Sequence, residues 1–95
     1  MVLERAEIFI ADGRMEEFLE MMRTTAIPLT AQFTGLISFR ALRGVEDVNS
    51  VMFLAEWQSI EAHLASRPEP AHEQFRQHVL PFVVGSKPTV HFDPV

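Results

Sequence analysis

The run Ser50 to Trp57, SVMFLAEW, constrains the fold more than any other part of the chain. It alternates as a strand does, with Val51, Phe53, Ala55 and Trp57 on one face. Met52 and Leu54 line the opposite face, so both faces call for burial. Residues 36–42 behave alike, with Ile37, Phe39 and Ala41 opposing Leu36 and Leu42. An antiparallel sheet in an isolated domain keeps one apolar face and one wet face. A sheet built from these strands needs cover on both sides.

The rest of the chain supplies one layer of cover. Residues 2–10 read as a strand, with Val2, Glu4, Ala6, Ile8 and Ile10 on one face and Leu3, Arg5, Glu7 and Phe9 on the other. Asp12-Gly13 marks a turn. Residues 14–33 place Met15, Phe18, Leu19, Met22, Ala26, Leu29 and Phe33 at steps of three and four, the pattern of an amphipathic helix. Pro28 predicts a kink between Thr24 and Pro28, and Gly35 ends the segment. Arg43 to Asn49 forms a hairpin loop between the second and third strands. Ser59 caps a helix carrying Ile60, His63 and Leu64, which Pro68 and Pro70 break. A further helix runs from about Ala71 to Leu80, and Thr89 to Asp93 makes a short last strand.

The order is therefore βαββαβ, an α+β fold of ferredoxin-like type with a four-stranded antiparallel sheet, in a single domain spanning residues 1–95. Helices cover one face. The simplest cover for the other is a second copy of the chain, packed sheet to sheet as a two-fold homodimer.

Composition narrows the function. The 95 residues are 47% hydrophobic with no cysteine, which excludes disulfides and cysteine-ligated metals. Net charge is −5, and Lys87 with seven scattered arginines makes no basic stripe, so no nucleic-acid partner is expected. No run of about 20 apolar residues suggests a membrane span. The opening residues do not read as a secretory leader, and a cytoplasmic location is expected. His63, His72, His78 and His91 form no i, i+4 pair, so no metal site is expected. P-loop, GxGxxG, HExxH and GxSxG patterns are absent.

The run Ala6 to Gly13 followed by Glu17-Phe18, the stretch Phe53 to Leu64 with its Trp57 and Glu61-Ala62-His63-Leu64, Gly35, and the closing Val90-His91-Phe92 together resemble the antibiotic biosynthesis monooxygenase family. The resemblance covers almost the whole chain. It implies a dimeric α+β barrel, in agreement with the two-sided strands. It also implies cofactor-independent oxidation of a small phenolic, hydroquinone or polyketide-type aromatic by O2. Such chemistry asks the protein for a base, a dry apolar cavity and donors for a developing oxyanion. Carried onto this chain, the resemblance makes His63, His72 and Trp57 the candidate catalytic residues. Ala6 and Ile8 would line the sheet side of a cavity under the helices, with Phe18, Met22, Phe53 and Phe75 as further substrate-binding candidates.

Two other enzyme readings follow from the resemblance. Haem-degrading relatives use an asparagine on the first strand, where this chain has Ala6, and a helix tryptophan that His63 or Ser66 replaces. Isomerisation of a phosphorylated ketone would need a convergent anion site, for which Arg40, Arg43 and Lys87 are the sources. A non-catalytic ligand-binding or structural dimer of the same fold competes with all three.

Each singled-out residue also has a plainer role. Trp57 suits a packing anchor at a strand end, and His63 a half-exposed position behind a helix cap. His72 suits a neutral surface histidine, His78 the solvated side of the last helix, and His91 an interface or edge. Arg40 is expected to pair with Glu7 or Glu4 across the sheet. Met15 and Met22 read as core.

Overall fold

The computed structural model describes residues 1–95. Strand β1 (Val2–Ile10) leads into a helical arm: α1 (Met15–Met21), a π-helical turn (Met22–Ala26), the single turn α2 (Ile27–Leu29) and a 3-10 turn (Thr30–Gln32). Hairpin β2 (Leu36–Arg43) and β3 (Ser50–Trp57) follows. Then come α3 (Ile60–Ser66), α4 (Pro70–Val79) and the short strands β4 (Val83–Ser86) and β5 (Val90–Phe92). The arm bends where Pro28 predicts it. The Ile27 N–H reaches back five residues to the Met22 carbonyl, and Pro28 has no N–H to offer the next turn.

All strand pairs are antiparallel, in the order β2-β3-β1-β4, with β5 also on β1. The single last strand expected from the sequence is thus two short ones sharing an edge. β4 pairs with Ile8 to Ile10, and β5 with Leu3 to Arg5. Between them Lys87 donates its N–H to the Glu7 carbonyl at 3.0 Å, and Pro88 interrupts the ladder.

One register differs from simple alternation. A bulge between Leu36 and Ser38 places Leu36 opposite Trp57 and Phe39 opposite Ala55. Leu36 therefore packs on the core with Phe39 and Ala41, while Ile37 is turned out. The expected Arg40 ion pair is corrected by the same topology. β3 lies between β2 and β1, and Arg40 makes no salt bridge; Glu7 pairs instead with Lys87 and Glu4 with His63.

The helices cover the inner face, burying Val2 and Ile10 of β1, Val51, Phe53, Ala55 and Trp57 of β3, and Phe18, Met22 and Ala26 of the arm. Gly35 adopts φ +83°, and a Cβ there would stand 2.8 Å from the Ala62 Cβ, so glycine lets the chain entering β2 lie against α3. No element of the chain covers the outer face. Leu3, Phe9, Met52 and Leu54 are only half-buried there, and Leu42, Val90 and Phe92 are exposed.

Candidate functional site

Glu4 sits on the inner face of β1, among Val2, Ala6 and Ile8. A carboxylate in such a place must be hydrogen-bonded. Its Oε1 accepts from the Trp57 indole Nε1–H at 2.8 Å and lies 3.3 Å from His63 Nε2. His63 is brought there by α3, whose first turn is capped by Ser59 Oγ accepting from the Ala62 N–H at 3.0 Å. The second nitrogen of His63, Nδ1, is 2.8 Å from Nε2 of His91, which β5 places directly opposite Glu4. A carboxylate only accepts, so His63 presents Nε2–H to Glu4, and its Nδ1 accepts from His91. Trp57, Glu4, His63 and His91 form one chain of polar contacts, two hydrogen bonds joined by the 3.3 Å approach of His63 Nε2 to Glu4.

His72, in the first turn of α4, joins from the other side. Its Nδ1 is 3.2 Å from the buried Ser66 Oγ. Its ring stacks on Phe33 with centroids 4.4 Å apart, as the Trp57 ring does on His63 at 4.7 Å. Both histidines are held neutral. Burial lowers the pKa of His63, with help from His91 and Arg67 and against the pull of Glu4. Burial likewise pushes His72 down to about 4, reinforced by Arg76, His63 and Arg67, while a hydrogen bond with Ser66 opposes it.

Beside this network a cavity of about 250 Å³ runs between β1, the β4–β5 edge and α4. Ala6, Ile8, Phe53, Phe75, Val79 and Val83 give it apolar walls. His63, His72 and Glu4 open onto it, and Arg67, Arg76 and Lys87 also line it. A larger hollow of about 420 Å³ lies on the outer face beside the hairpin loop, with no histidine in its lining. The smaller cavity is the candidate site, because apolar walls meet convergent polar groups and perturbed histidines there.

The structure brings six of the nine residues named from the sequence to this cavity: His63, His72, Ala6, Ile8, Phe53 and Phe75. Trp57 stands behind His63, 1% exposed. Phe18 and Met22 do not reach the cavity; they are sealed under the helical arm at 0% and 1% exposure. His78 is exposed, and His63 is buried rather than half-exposed. His72 is neutral but packed between Phe33 and Ser66 rather than on the surface. Sequence reasoning missed Glu4, His91, Arg67 and Arg76. Glu4 carried a signal, an acid on an otherwise apolar strand face.

Such an arrangement can serve proton transfer, since two neutral imidazoles, a carboxylate and cations share one small, largely apolar cavity.

A family model described as antibiotic biosynthesis monooxygenase matches residues 1–78. No curated protein matches the chain. Solved structures share the fold at low identity. A Bordetella bronchiseptica protein named for the same family superposes with TM-score 0.87 and 21% identity, over 99% of this chain and 96% of its own. A Nitrosomonas europaea protein, also named for the family, gives TM-score 0.79 and 14% identity over 100% and 99%. A conserved protein from Methanosarcina mazei gives 0.80 and 12% over 96% and 89%. The family match spans most of the chain and the fold agrees throughout, so the chain belongs to the antibiotic biosynthesis monooxygenase family.

Proposed function

We propose that the chain is a cofactor-independent monooxygenase that oxidises a small phenol, hydroquinone or related aromatic with O2. The observation that carries this reading is the apolar cavity onto which His63, His72 and Glu4 open together. In the proposed reaction a substrate hydroxyl or acidic C–H gives its proton to His72 or to the Glu4–His63–His91 chain. The electron-rich anion passes one electron to O2, and the radical pair combines as a carbon-bound peroxide. Loss of water leaves a carbonyl where the substrate had a CH2 or aromatic C–H, so one oxygen atom enters the product and the other leaves as water.

A neutral histidine with a pKa near 4 is a weak base for a phenol. Arg67, Arg76 and Lys87 offset this by stabilising the phenolate. The volume also limits the substrate. It falls below the roughly 300 Å³ at which pockets for drug-sized ligands begin, which suits a molecule of about one or two rings. The test is oxygen uptake with a panel of one- and two-ring hydroquinones and with anthrone. Uptake by the wild type, reduced in His63→Ala and His72→Ala, supports the reading; no uptake on any substrate removes it. One observation favours a non-catalytic binder instead: both ring nitrogens of His63 already face polar partners, Nδ1 a hydrogen bond with His91 and Nε2 the Glu4 carboxylate at 3.3 Å. Binding of these aromatics without uptake would select it.

The same proposal includes a homodimer. The uncovered face carries Leu3, Phe9, Met52 and Leu54 with both signs of charge, Arg5 and Arg40 beside Glu7 and Glu56. A face with both signs can pair with itself about a two-fold axis. Light scattering is expected to give twice the 10.8 kDa chain mass; a stable monomer at micromolar concentration would sink the dimer.

A further inference from the structure

We propose that the cavity selects a flat aromatic ligand bearing a single carboxylate, which Arg67 and Arg76 hold at its rim. This rests on the reading of the cavity as the ligand site and goes beyond it in naming the ligand's charge. The chain has a net charge of −5 and only eight Lys and Arg residues, yet three of them, Arg67, Arg76 and Lys87, line this one cavity. Cations gathered around an apolar chamber in an acidic protein focus positive potential there.

The local pairing shows which charges are free. Glu4 is occupied by Trp57 and His63. Glu7 accepts from Ser50 Oγ at 2.7 Å and pairs with Lys87 at 3.4 Å. Arg76 pairs with Glu73 and donates to the Arg67 carbonyl. The Arg67 guanidinium has no carboxylate within ion-pair distance. Arg76 and Lys87 are thus matched by Glu73 and Glu7, and of the three cations Arg67 alone is left without a carboxylate. That balance suits a monoanion better than a doubly charged phosphate. The histidines register the same field, since Arg67 and Arg76 both disfavour a proton on His72. Arginine's planar fork matches a carboxylate in two parallel hydrogen bonds. The ring would lie among Ala6, Ile8, Phe53 and Phe75.

The test is calorimetric binding to the full chain without oxygen, so that turnover plays no part. The probes are 2-naphthoate, its neutral carboxamide and 2-naphthyl phosphate. We expect the carboxylate to bind about tenfold tighter than the carboxamide, a preference that added salt weakens. In Arg67→Gln the preference falls to about twofold while carboxamide affinity holds, which a general loss of structure would not produce. Equal affinities for carboxylate and carboxamide overturn the proposal. So does a preference that survives in both Arg67→Gln and Arg76→Gln, and so does tighter binding of the phosphate. If none of the probes binds, the cavity is not a ligand site for aromatics and the proposal falls with it. Charge-selective binding without oxygen uptake by phenolic acids upholds this proposal and removes only the oxygenase reading.

Discussion

The helical layer has two halves that treat the same sheet in different ways. Under α1 and its π turn, Phe18, Met22 and Ala26 are sealed, and Phe18 meets Phe82 edge to face with centroids 5.5 Å apart. Under α3 and α4, the buried His63 and Ser66 and the half-buried His72 stand beside Ala71, Phe75 and Val79, and a cavity remains next to them. Apolar side chains can shift to fill space, because their attraction has no direction. Imidazoles tied to Glu4, His91 and Ser66 cannot, since each hydrogen bond fixes a distance and an angle. The hollow half is the half in which apolar packing has to accommodate fixed polar geometry.

The largest test of this contrast is Phe18→Ala, which should cost about 3–5 kcal/mol in urea unfolding. A cost near zero would mean that the arm is no better packed than the cavity side. Next, Glu4→Ala leaves the buried Trp57 N–H without an acceptor, removes the carboxylate beside His63, and should cost about 2–3 kcal/mol. Glu4→Gln keeps a side-chain oxygen and should cost less than half of that in the same assay. Equal costs would show that the network does not depend on the acceptor.

A pH comparison sharpens the picture further. The folded pKa of His72 is depressed from 6.5 to about 4, so the unfolded chain takes up the proton first. Stability that is full above pH 6.5 is therefore lost as pH falls toward 4. We expect the advantage of wild type over His72→Phe to shrink by roughly 2 kcal/mol across that window in denaturant titrations. A difference that does not change with pH would mean that His72 is not held neutral by its surroundings. The smallest effect belongs to Ser59→Ala, about 1 kcal/mol from the lost cap of α3. Hydrogen exchange should quicken in α3 and stay unchanged in α1; uniform quickening would erase the distinction between the halves.

Alternation and helix spacing made the order of strands and helices legible, and the apolar residues on both strand faces pointed to the uncovered outer sheet. Glu4 was visible as an acid on an apolar face. The bulge at Ile37 left no mark, because an isoleucine is ordinary in a strand and no glycine or proline announces the slip. His91 lies on a three-residue strand, and only its pairing with Glu4 tells which way it points. Arg67 and Arg76 stand on either side of a Pro-Glu-Pro turn and meet only once α3 and α4 fold back. Phe18 and Phe75 are the same residue type with the same helical spacing, so sequence could not say which would line a hollow.

The split edge of the sheet also orders the site in time. Glu4 leaves the ribosome with the first strand and His91 with β5, after every other element of the sheet. A nascent chain can therefore build its sealed half from residues already synthesised, while the chain of polar contacts through His63 waits for its final member. The chamber is finished last, and an error in docking β5 would cost the His63–His91 hydrogen bond before it cost the fold.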